Sequence, residues 1–247
     1  MIEKRFFMTV ALIFLIAPTA YSQPSALNIK GLVGKVKRVD EKSTQLIESH
    51  GKTRQSDLPA HSMVFDKNGE LTFETYFTLE GNSETKYSNE SNGVRKQVNQ
   101  RNRPFAKSNE QFLPTVSASI FKYDPAAKMI SEDHYDAIRQ TGPVYDANSL
   151  TQRYKYYFNS ANRLTKNIVL ARSGKEIMTY EYTFRGDGPP NEQIISAHGR
   201  AFELTKFVYE MDAKGNWIKR TGVTESFDPK VASQTWVTIR KIDYYDK

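Results

Sequence analysis

Phe65-Asp66-Lys67-Asn68-Gly69-Glu70-Leu71 is the stretch that decides the fold, because the same phrase recurs along the chain. The phrase consists of an aromatic or large apolar residue, Asp or Asn, two free positions, a small residue or Asn, one free position and a large apolar residue. Further copies begin at Tyr123, Phe158 and Met211. A repeated unit with fixed internal spacing is typical of folds built from stacked or arrayed units.

Each copy predicts a β-hairpin. Before the copy at Phe158, Tyr154 and Tyr156 occupy alternate positions, and period-two alternation with aromatic residues indicates a half-buried strand. Asp or Asn then opens a turn with its side chain. Three positions later, a residue such as Gly69 or Gly215 can take the left-handed conformation that closes a type I turn with a bulge. The unit is therefore strand, tight turn, strand.

The spacing of the units predicts the architecture. Phe158 and Phe184 are 26 residues apart, and Phe184 and Met211 are 27 apart. No segment shows a helical stripe, so we expect an all-β fold, an antiparallel meander of repeated β-hairpins that forms an open, twisted or curled sheet of about ten to twelve strands. Residues 23–247 are expected to form a single domain, with a polar, flexible insertion at about 80–111.

The N-terminus predicts export. Lys4 and Arg5 precede an apolar run of about 12 residues, which is too short for the roughly 20 residues of a membrane-spanning helix. We interpret residues 1–22 as a cleaved signal peptide and expect a soluble periplasmic or secreted protein. The chain has no cysteine, so disulfides, thiol catalysis and a lipid-modified N-terminal cysteine are excluded. The formal net charge of +7 biases the surface toward anionic partners, but simple solubility is the favoured explanation.

The copies centred on Tyr123-Asp124 and Met211-Asp212 resemble YD repeats of the rearrangement-hotspot type. Short exported bacterial proteins with a few degenerate repeats of this type are most similar, because they also begin with a signal peptide and a Gly-Lys-Val-Lys strand, here at residues 34–37. The resemblance implies a β-sheet scaffold and carries over no catalytic residues.

Candidate ligand-binding residues are aromatic side chains that could stack on a ligand and basic side chains in the polar run. A role in the core competes with ligand binding for the aromatic residues, and Trp217 in particular holds the large apolar position of its repeat. For the basic residues, the alternative is a solvated loop. The candidates are Trp217, Trp236, Tyr154, Tyr244, Arg95 and Lys96.

Weak metal or acid-base candidates are Glu132, His134 and Asp136, which would share one face of a strand because alternate residues point to the same side. Nucleophile-elbow, zinc-protease and phosphate-binding glycine motifs are absent from the sequence. We expect no cofactor.

Three functional hypotheses follow. The first is a non-enzymatic exported β-repeat protein that acts as a binding or interaction scaffold in the cell envelope, with a glycan, lipid or protein as its partner and no nucleic acid. The second is a metal-dependent or acid-base hydrolase on the same sheet, using Glu132, His134 and Asp136. The third is a periplasmic lipid carrier whose sheet curls into a half-barrel with an apolar cleft. The oligomeric state stays open.

Overall fold

The structure is a computed structural model that describes residues 30–49, 52–78, 81–89, 94–102, 115–135 and 150–246. The predicted signal peptide, residues 1–22, lies outside these ranges. Fifteen strands occur in the described ranges, and their bounds from the N-terminus are β1 Val36–Ser49, β2 Lys52–Asp57, β3 Ala60–Phe65, β4 Leu71–Thr78, β5 Gly81–Asn89, β6 Val94–Asn102, β7 Thr115–Asp124 and β8 Met129–Tyr135. The remaining strands are β9 Leu150–Phe158, β10 Leu164–Ala171, β11 Glu176–Thr183, β12 Glu192–Ala197, β13 Arg200–Met211, β14 Trp217–Ser226 and β15 Gln234–Tyr244.

All strands belong to one antiparallel sheet in which nearly every strand pairs with the next in sequence. β2 and β3 pair with successive parts of β1, and only Leu58 and Pro59 separate them. Counted together they make one strand, so the meander has fourteen. The predicted all-β meander of hairpins is confirmed, with more strands than the expected ten to twelve.

The sheet curls until its first and last strands meet. β1 pairs with β15 along residues 36–47, on the edge opposite to its pairing with β2 and β3. Strand pairing therefore continues from β1 through β3 to β15 and back to β1. The curled arrangement gives the sheet an inner and an outer face.

The repeated phrase forms the turns that the sequence predicts. Asp66 Oδ1 accepts the backbone N–H groups two and four residues further on, at 2.8 and 2.9 Å. Asn159 and Asp212 make the same pair of bonds in their own turns. The residue three positions after the Asp or Asn has a φ of 83°, 55° or 84°, at Gly69, Asn162 and Gly215 respectively. A register shift follows each turn in the adjoining strand pair, as expected for a bulge.

These turns lie at one end of the sheet, because every second hairpin connection in a meander is at the same end. We call it the repeat-turn end; it comprises the connections at residues 66–70, 125–128, 159–163, 184–191 and 212–216. The start of β1 and the end of β15 lie there too, since Tyr245 N donates to Lys35 O at 2.9 Å.

The inner face is the buried one. On β15, Arg240 is 9% exposed whereas its neighbour Ile239 is 56% exposed, and on β13 the corresponding values are 8% for Phe207 and 72% for Val208. The strand register places the side chains of Arg240 and Glu41 directly opposite each other on this face. The outer face carries exposed ion pairs such as Lys219 with Glu210 at 2.6 Å. The burial pattern is thus unusual, because charges lie inside as well as outside.

An apolar cluster packs at the repeat-turn end beside β1. Its buried members are Leu32, Val36, Val39, Met63, Phe65 and Leu71. Phe65 and Leu71 are the first and last residues of the repeat copy that decides the fold. The repeat therefore supplies core contacts as well as the turn.

Residues 80–111, expected to interrupt the array, contain β5 and β6, which continue it through pairing with β4 and β7. Their only large apolar residues are Tyr87, Val94 and Val98, so no regular apolar alternation marks them as strands. Within the described ranges, no helix has the length and apolarity needed to cross a membrane.

Candidate functional site

A cavity of about 280 Å³ lies at the repeat-turn end, and we call it the end cavity. It is bounded by the segment 30–33, by the β9–β10 and β11–β12 connections, and by the adjoining ends of β13 and β14. Its apolar and aromatic walls come from Leu32, Val33, Leu164, Tyr182, Phe184, Pro189, Pro190, Tyr209, Met211 and Trp217.

The β11–β12 connection is held over the cavity by two side chains. Arg163 Nη1 donates to the carbonyl oxygens of Gly186 at 2.7 Å and Gly188 at 3.1 Å. The guanidinium carbon of Arg163 lies 4.4 Å from the centroid of the Phe184 ring. Tyr209 donates its hydroxyl to Pro190 O at 2.7 Å. This wall therefore has a fixed position relative to the sheet.

Residues 30–34 form a strap that closes the other side of the cavity. Asn216, which is almost fully buried, accepts the N–H of Val33 at 2.7 Å and donates Nδ2 to Val33 O at 2.8 Å. Leu32 next to it is buried in the apolar cluster. The Asn216 side chain thus satisfies both backbone groups of Val33, which clamps the strap to the β13–β14 turn.

Arg220 and Arg240 bring positive charge to the inner wall of the cavity. The guanidinium carbon of Arg240 lies 3.4 Å from the centroid of the Trp217 ring, and that of Arg220 lies 4.7 Å from it. Arg220 also lies near Phe207 and Trp236, at 5.3 and 5.1 Å. Aromatic rings at these distances stabilise a cation. The rings offer no oxygen acceptor, so the N–H donors of the guanidinium groups still require oxygen partners.

Buried carboxylates neutralise two of the cations at the cavity. Arg240 Nε donates to Glu41 Oε1 at 2.6 Å, and Lys30 Nζ donates to Glu74 Oε1 at 3.1 Å. His61 lies between the two carboxylates, with Nε2 3.0 Å from Glu74 Oε1 and Nδ1 3.6 Å from Glu41 Oε2. The five side chains form one network across β1, β3, β4 and β15.

The network sets the protonation of its members. Burial on its own raises the pKa of Glu41 and Glu74, but the hydrogen bonds with His61 and the charges of Arg240 and Lys30 more than offset this and lower each pKa to about 2. Burial alone lowers the pKa of His61, yet hydrogen bonds with the two carboxylates reverse the direction and raise it above its ordinary value. Both carboxylates are therefore ionised at neutral pH.

The structure distributes the predicted ligand residues over different places. Trp217 lines the end cavity. Trp236 lies beside it, in an edge-to-face contact with Phe207, and donates Nε1 to Thr224 Oγ1 at 3.0 Å. Tyr154 stacks on Tyr156, on the inner face of β9.

Tyr244, at the end of β15, contacts the β13–β14 turn: its hydroxyl donates to Asp212 Oδ2 and accepts from Asn216 Nδ2 at 2.7 Å. Burial and the bond to Asp212 raise the pKa of Tyr244 to about 12. Arg95 and Lys96 lie on β6, and their side chains are outside the described part of the structure. Of the four candidates whose side chains the structure describes, only Trp217 lines the cavity.

The predicted metal site of Glu132, His134 and Asp136 stays a prediction; among the described residues, no group of three or more metal-ligating side chains occurs. Asp136 lies outside the described ranges. Glu132 and His134 share the inner face as expected, but Ser119 bridges them: its hydroxyl donates to Glu132 Oε1 at 2.6 Å and lies 3.1 Å from His134 Nδ1. Tyr156 donates to Glu132 Oε2 at 2.8 Å. The Ser119 hydroxyl donates its hydrogen bond to the Glu132 carboxylate, whereas the hydroxyl of a serine nucleophile donates to the base that activates it, commonly a histidine.

No protein-family model matches the chain, and no curated protein sequence matches it. Solved structures with a similar arrangement of strands exist at low identity. A porin-like protein from Bacteroides uniformis is 12% identical over 84% of this chain and 96% of its own, with a TM-score of 0.43. A DUF1329 family protein from Desulfovibrio piger is 13% identical over 85% of this chain and 86% of its own, with a TM-score of 0.35.

A putative outer membrane lipoprotein-sorting protein domain from Vibrio parahaemolyticus is 6% identical over 85% of this chain and 87% of its own, with a TM-score of 0.33. None of these similarities is strong enough to carry an argument about function. The resemblance to YD-repeat proteins was wrong, because no family model for such repeats matches and the structural neighbours are proteins of other kinds. The repeated phrase is a turn signal that unrelated hairpin arrays share.

Sequence reasoning missed the arginines of the cavity. Arg240 is four residues after Trp236 on one strand, so the two side chains share a face. This even spacing from Trp236 was the sequence signal that could have placed Arg240 on the same face as the tryptophan. Arg220 gave no comparable signal. The register shift next to Met211 inserts one extra residue into β14, so Trp217 and Arg220 share a face although they are three residues apart.

Proposed function

We propose that the protein is a non-enzymatic binding protein of the cell envelope that holds a small amphipathic molecule in the end cavity. The observation that carries this proposal is the combination of aromatic and apolar walls with a few charged groups in one concave site. Small-molecule sites in proteins are concave and mostly apolar, with few polar groups, and have volumes of roughly 300 Å³ upward. The end cavity is at the small end of that range.

The walls are built to keep their shape. The β11–β12 connection is fastened by Arg163 and Tyr209, and the strap by Asn216. Because these fastenings use hydrogen bonds to backbone groups, the cavity exists without a ligand and little ordering is needed on binding. A pre-formed site binds more tightly for the same contacts.

This proposal joins the first and third sequence hypotheses. It keeps the non-enzymatic binding role and takes a lipid-like ligand from the carrier hypothesis, but it places the ligand at one end of a curled sheet instead of in the cleft of a half-barrel. The hydrolase hypothesis has less support, since the Ser119 hydroxyl bridges Glu132 and His134 and donates to the carboxylate. In addition, Lys30 and Arg240 neutralise Glu74 and Glu41. Envelope localisation rests on the predicted signal peptide.

Tryptophan fluorescence tests the proposal, because the chain has two tryptophans and only Trp217 lines the cavity. In Trp236→Phe, a titration with 1-octanol should produce a saturable change in the emission of Trp217. The matched variant Trp217→Phe reports from Trp236 and should respond weakly. An emission of Trp217 that stays constant up to millimolar octanol, with no heat of binding, would refute the proposal.

A further inference from the structure

We infer that the ligand of the end cavity is an anion, and that Arg220 and Arg163 receive its charged head. The inference rests on the proposed function and names the chemical class of the ligand. The expected ligand has one short apolar chain that ends in a carboxylate or a phosphate.

Arg220 carries an unmet hydrogen-bond donor. Its Nε is buried, and no hydrogen-bond partner for it occurs in the described part of the chain. The rings of Trp217, Trp236 and Phe207 surround the guanidinium. The Tyr209 hydroxyl also contacts the guanidinium, but Nε itself has no oxygen partner among the described residues. A buried donor without an acceptor is unfavourable, so an oxygen of a ligand or of a water molecule has to complete it, and at a cavity that oxygen can belong to a ligand.

The same incomplete pattern occurs at the other arginines of the cavity. Arg240 is only 9% exposed. Its Nε donates to Glu41, but its Nη1 has no hydrogen-bond partner among the described residues. Arg163 uses Nη1 for the β11–β12 connection, and its Nε is buried without a partner in the described ranges. Three guanidinium groups around one cavity therefore each retain a donor.

The charges around the cavity leave an excess of positive charge. Its lining contains four cations and one carboxylate, that of Asp187. The ion pairs with Glu41 and Glu74 neutralise two of the cations. Arg163 and Arg220 have no carboxylate at ion-pair distance among the described residues, so two positive charges face the one negative charge of Asp187. An arginine fork matches the geometry of a carboxylate or a phosphate.

The cavity volume limits the size of this ligand. Since the share of liquid volume of one water is about 30 Å³, the cavity of about 280 Å³ holds roughly nine non-hydrogen atoms. An alkyl carboxylate with about seven or eight carbons has this size. Octyl phosphate has more non-hydrogen atoms than the cavity holds, so part of it would lie outside, and a lipid with two long chains does not fit inside. The aromatic walls would contact the chain, and the arginines would contact the head.

Isothermal titration calorimetry with chain-matched probes tests the inference on the full mature chain. The probes are 1-octanol, sodium octanoate, octyl phosphate and inorganic phosphate. We expect both octyl anions to bind at least about tenfold more tightly than octanol, because a charge-assisted hydrogen bond to arginine contributes this much or more. Octanoate against octyl phosphate then distinguishes the two sources of the anion.

Arg220→Gln should remove the preference for the anions and leave octanol binding in place, which also shows that the variant is folded. Lys219→Gln is the matched control, because it removes one positive charge from the outer face of the same strand. It should bind all probes as the original protein does. Arg220→Met, which also removes the charge, provides a second variant if Arg220→Gln does not fold.

The other possible outcomes contradict either the anion inference or the proposed function. Equal affinity for octanol and octanoate in the original protein overturns the inference while the proposed function stands. Retention of the anion preference in both arginine variants overturns it as well. If no octyl probe binds, both the anion inference and the proposed function are refuted. If inorganic phosphate binds as tightly as octyl phosphate, the chain contributes nothing, and the amphipathic ligand is refuted.

Discussion

Glu74→Gln should make the stability of the protein much less sensitive to acid. The Glu74 carboxylate is buried on the inner face of β4, where Lys30, His61 and Tyr87 all donate to it. Glutamine keeps the size and an acceptor oxygen but removes the charge. The substitution therefore tests the electrostatic part of the network without opening a cavity.

The expected magnitude follows from the pKa of Glu74, which falls from an ordinary 4.5 to about 2 in the folded protein. A group whose pKa is lowered by folding stabilises the folded state above its unfolded pKa, and this stabilisation is lost as pH falls through the folded pKa. At 1.36 kcal/mol per pKa unit, Glu74 contributes about 3 kcal/mol at pH 7, and about 2 kcal/mol of this is lost by pH 3.

Urea unfolding followed by circular dichroism at pH 7, 5 and 3 measures the effect. The difference in the free energy of unfolding between the original protein and Glu74→Gln should shrink by about 2 kcal/mol from pH 7 to pH 3, with most of the change below pH 5. Glu181→Gln is the control, since Glu181 is exposed and pairs with Lys166 on the outer face. A difference that is constant over this pH range would refute the assignment of Glu74 as a buried, ionised member of the network.

Three further changes probe other parts of the structure. Asn216→Ala removes the two bonds to the strap and the bond to Tyr244, and should lower the free energy of unfolding by about 2 to 4 kcal/mol in urea. Gly222→Ala would place a Cβ 3.0 Å from the Trp236 side chain, so we expect a loss of about 1 to 3 kcal/mol in urea unfolding and an altered near-ultraviolet dichroism spectrum. His61 has a raised pKa, so its stabilisation is complete below pH 6.5 and is lost as pH rises through the folded pKa; His61→Gln should abolish this decline of the melting temperature on the alkaline side.

The hairpins could be predicted because their signals are local. A turn such as residues 66–70 is determined by Asp66 and Gly69, which act within five residues, and the alternation before Phe158 indicates the strand directly. These features gave the all-β meander. β5 and β6 could not be predicted as strands because polar residues predominate on both faces, and Tyr87, Val94 and Val98 are too few to give a period-two pattern of hydrophobicity.

The meeting of the sheet ends could not be predicted from local patterns. β1 and β15 are separated by about 190 residues, and the pairing that joins them uses side chains such as Glu41 with Arg240 that are polar in both sequences. The candidate site depends on this closure, because it brings the strap and the two arginine-bearing strands together. A polar inner face also reverses the usual expectation that charged strand positions point to solvent. For this reason the cavity arginines were not among the candidates, and Trp217 is the one cavity residue among the four candidates whose side chains are described.

The central claim is that the end cavity is the ligand site, and the two indole N–H signals in a proton–nitrogen correlation spectrum test it most directly. The Trp236 indole donates to Thr224, whereas Trp217 lines the cavity. On titration with octanoate, the Trp217 signal should move first and saturate, with smaller shifts at Trp236 through Arg220. If both indole signals stay in place while octanoate shifts signals of the outer face, the end cavity is not the binding site.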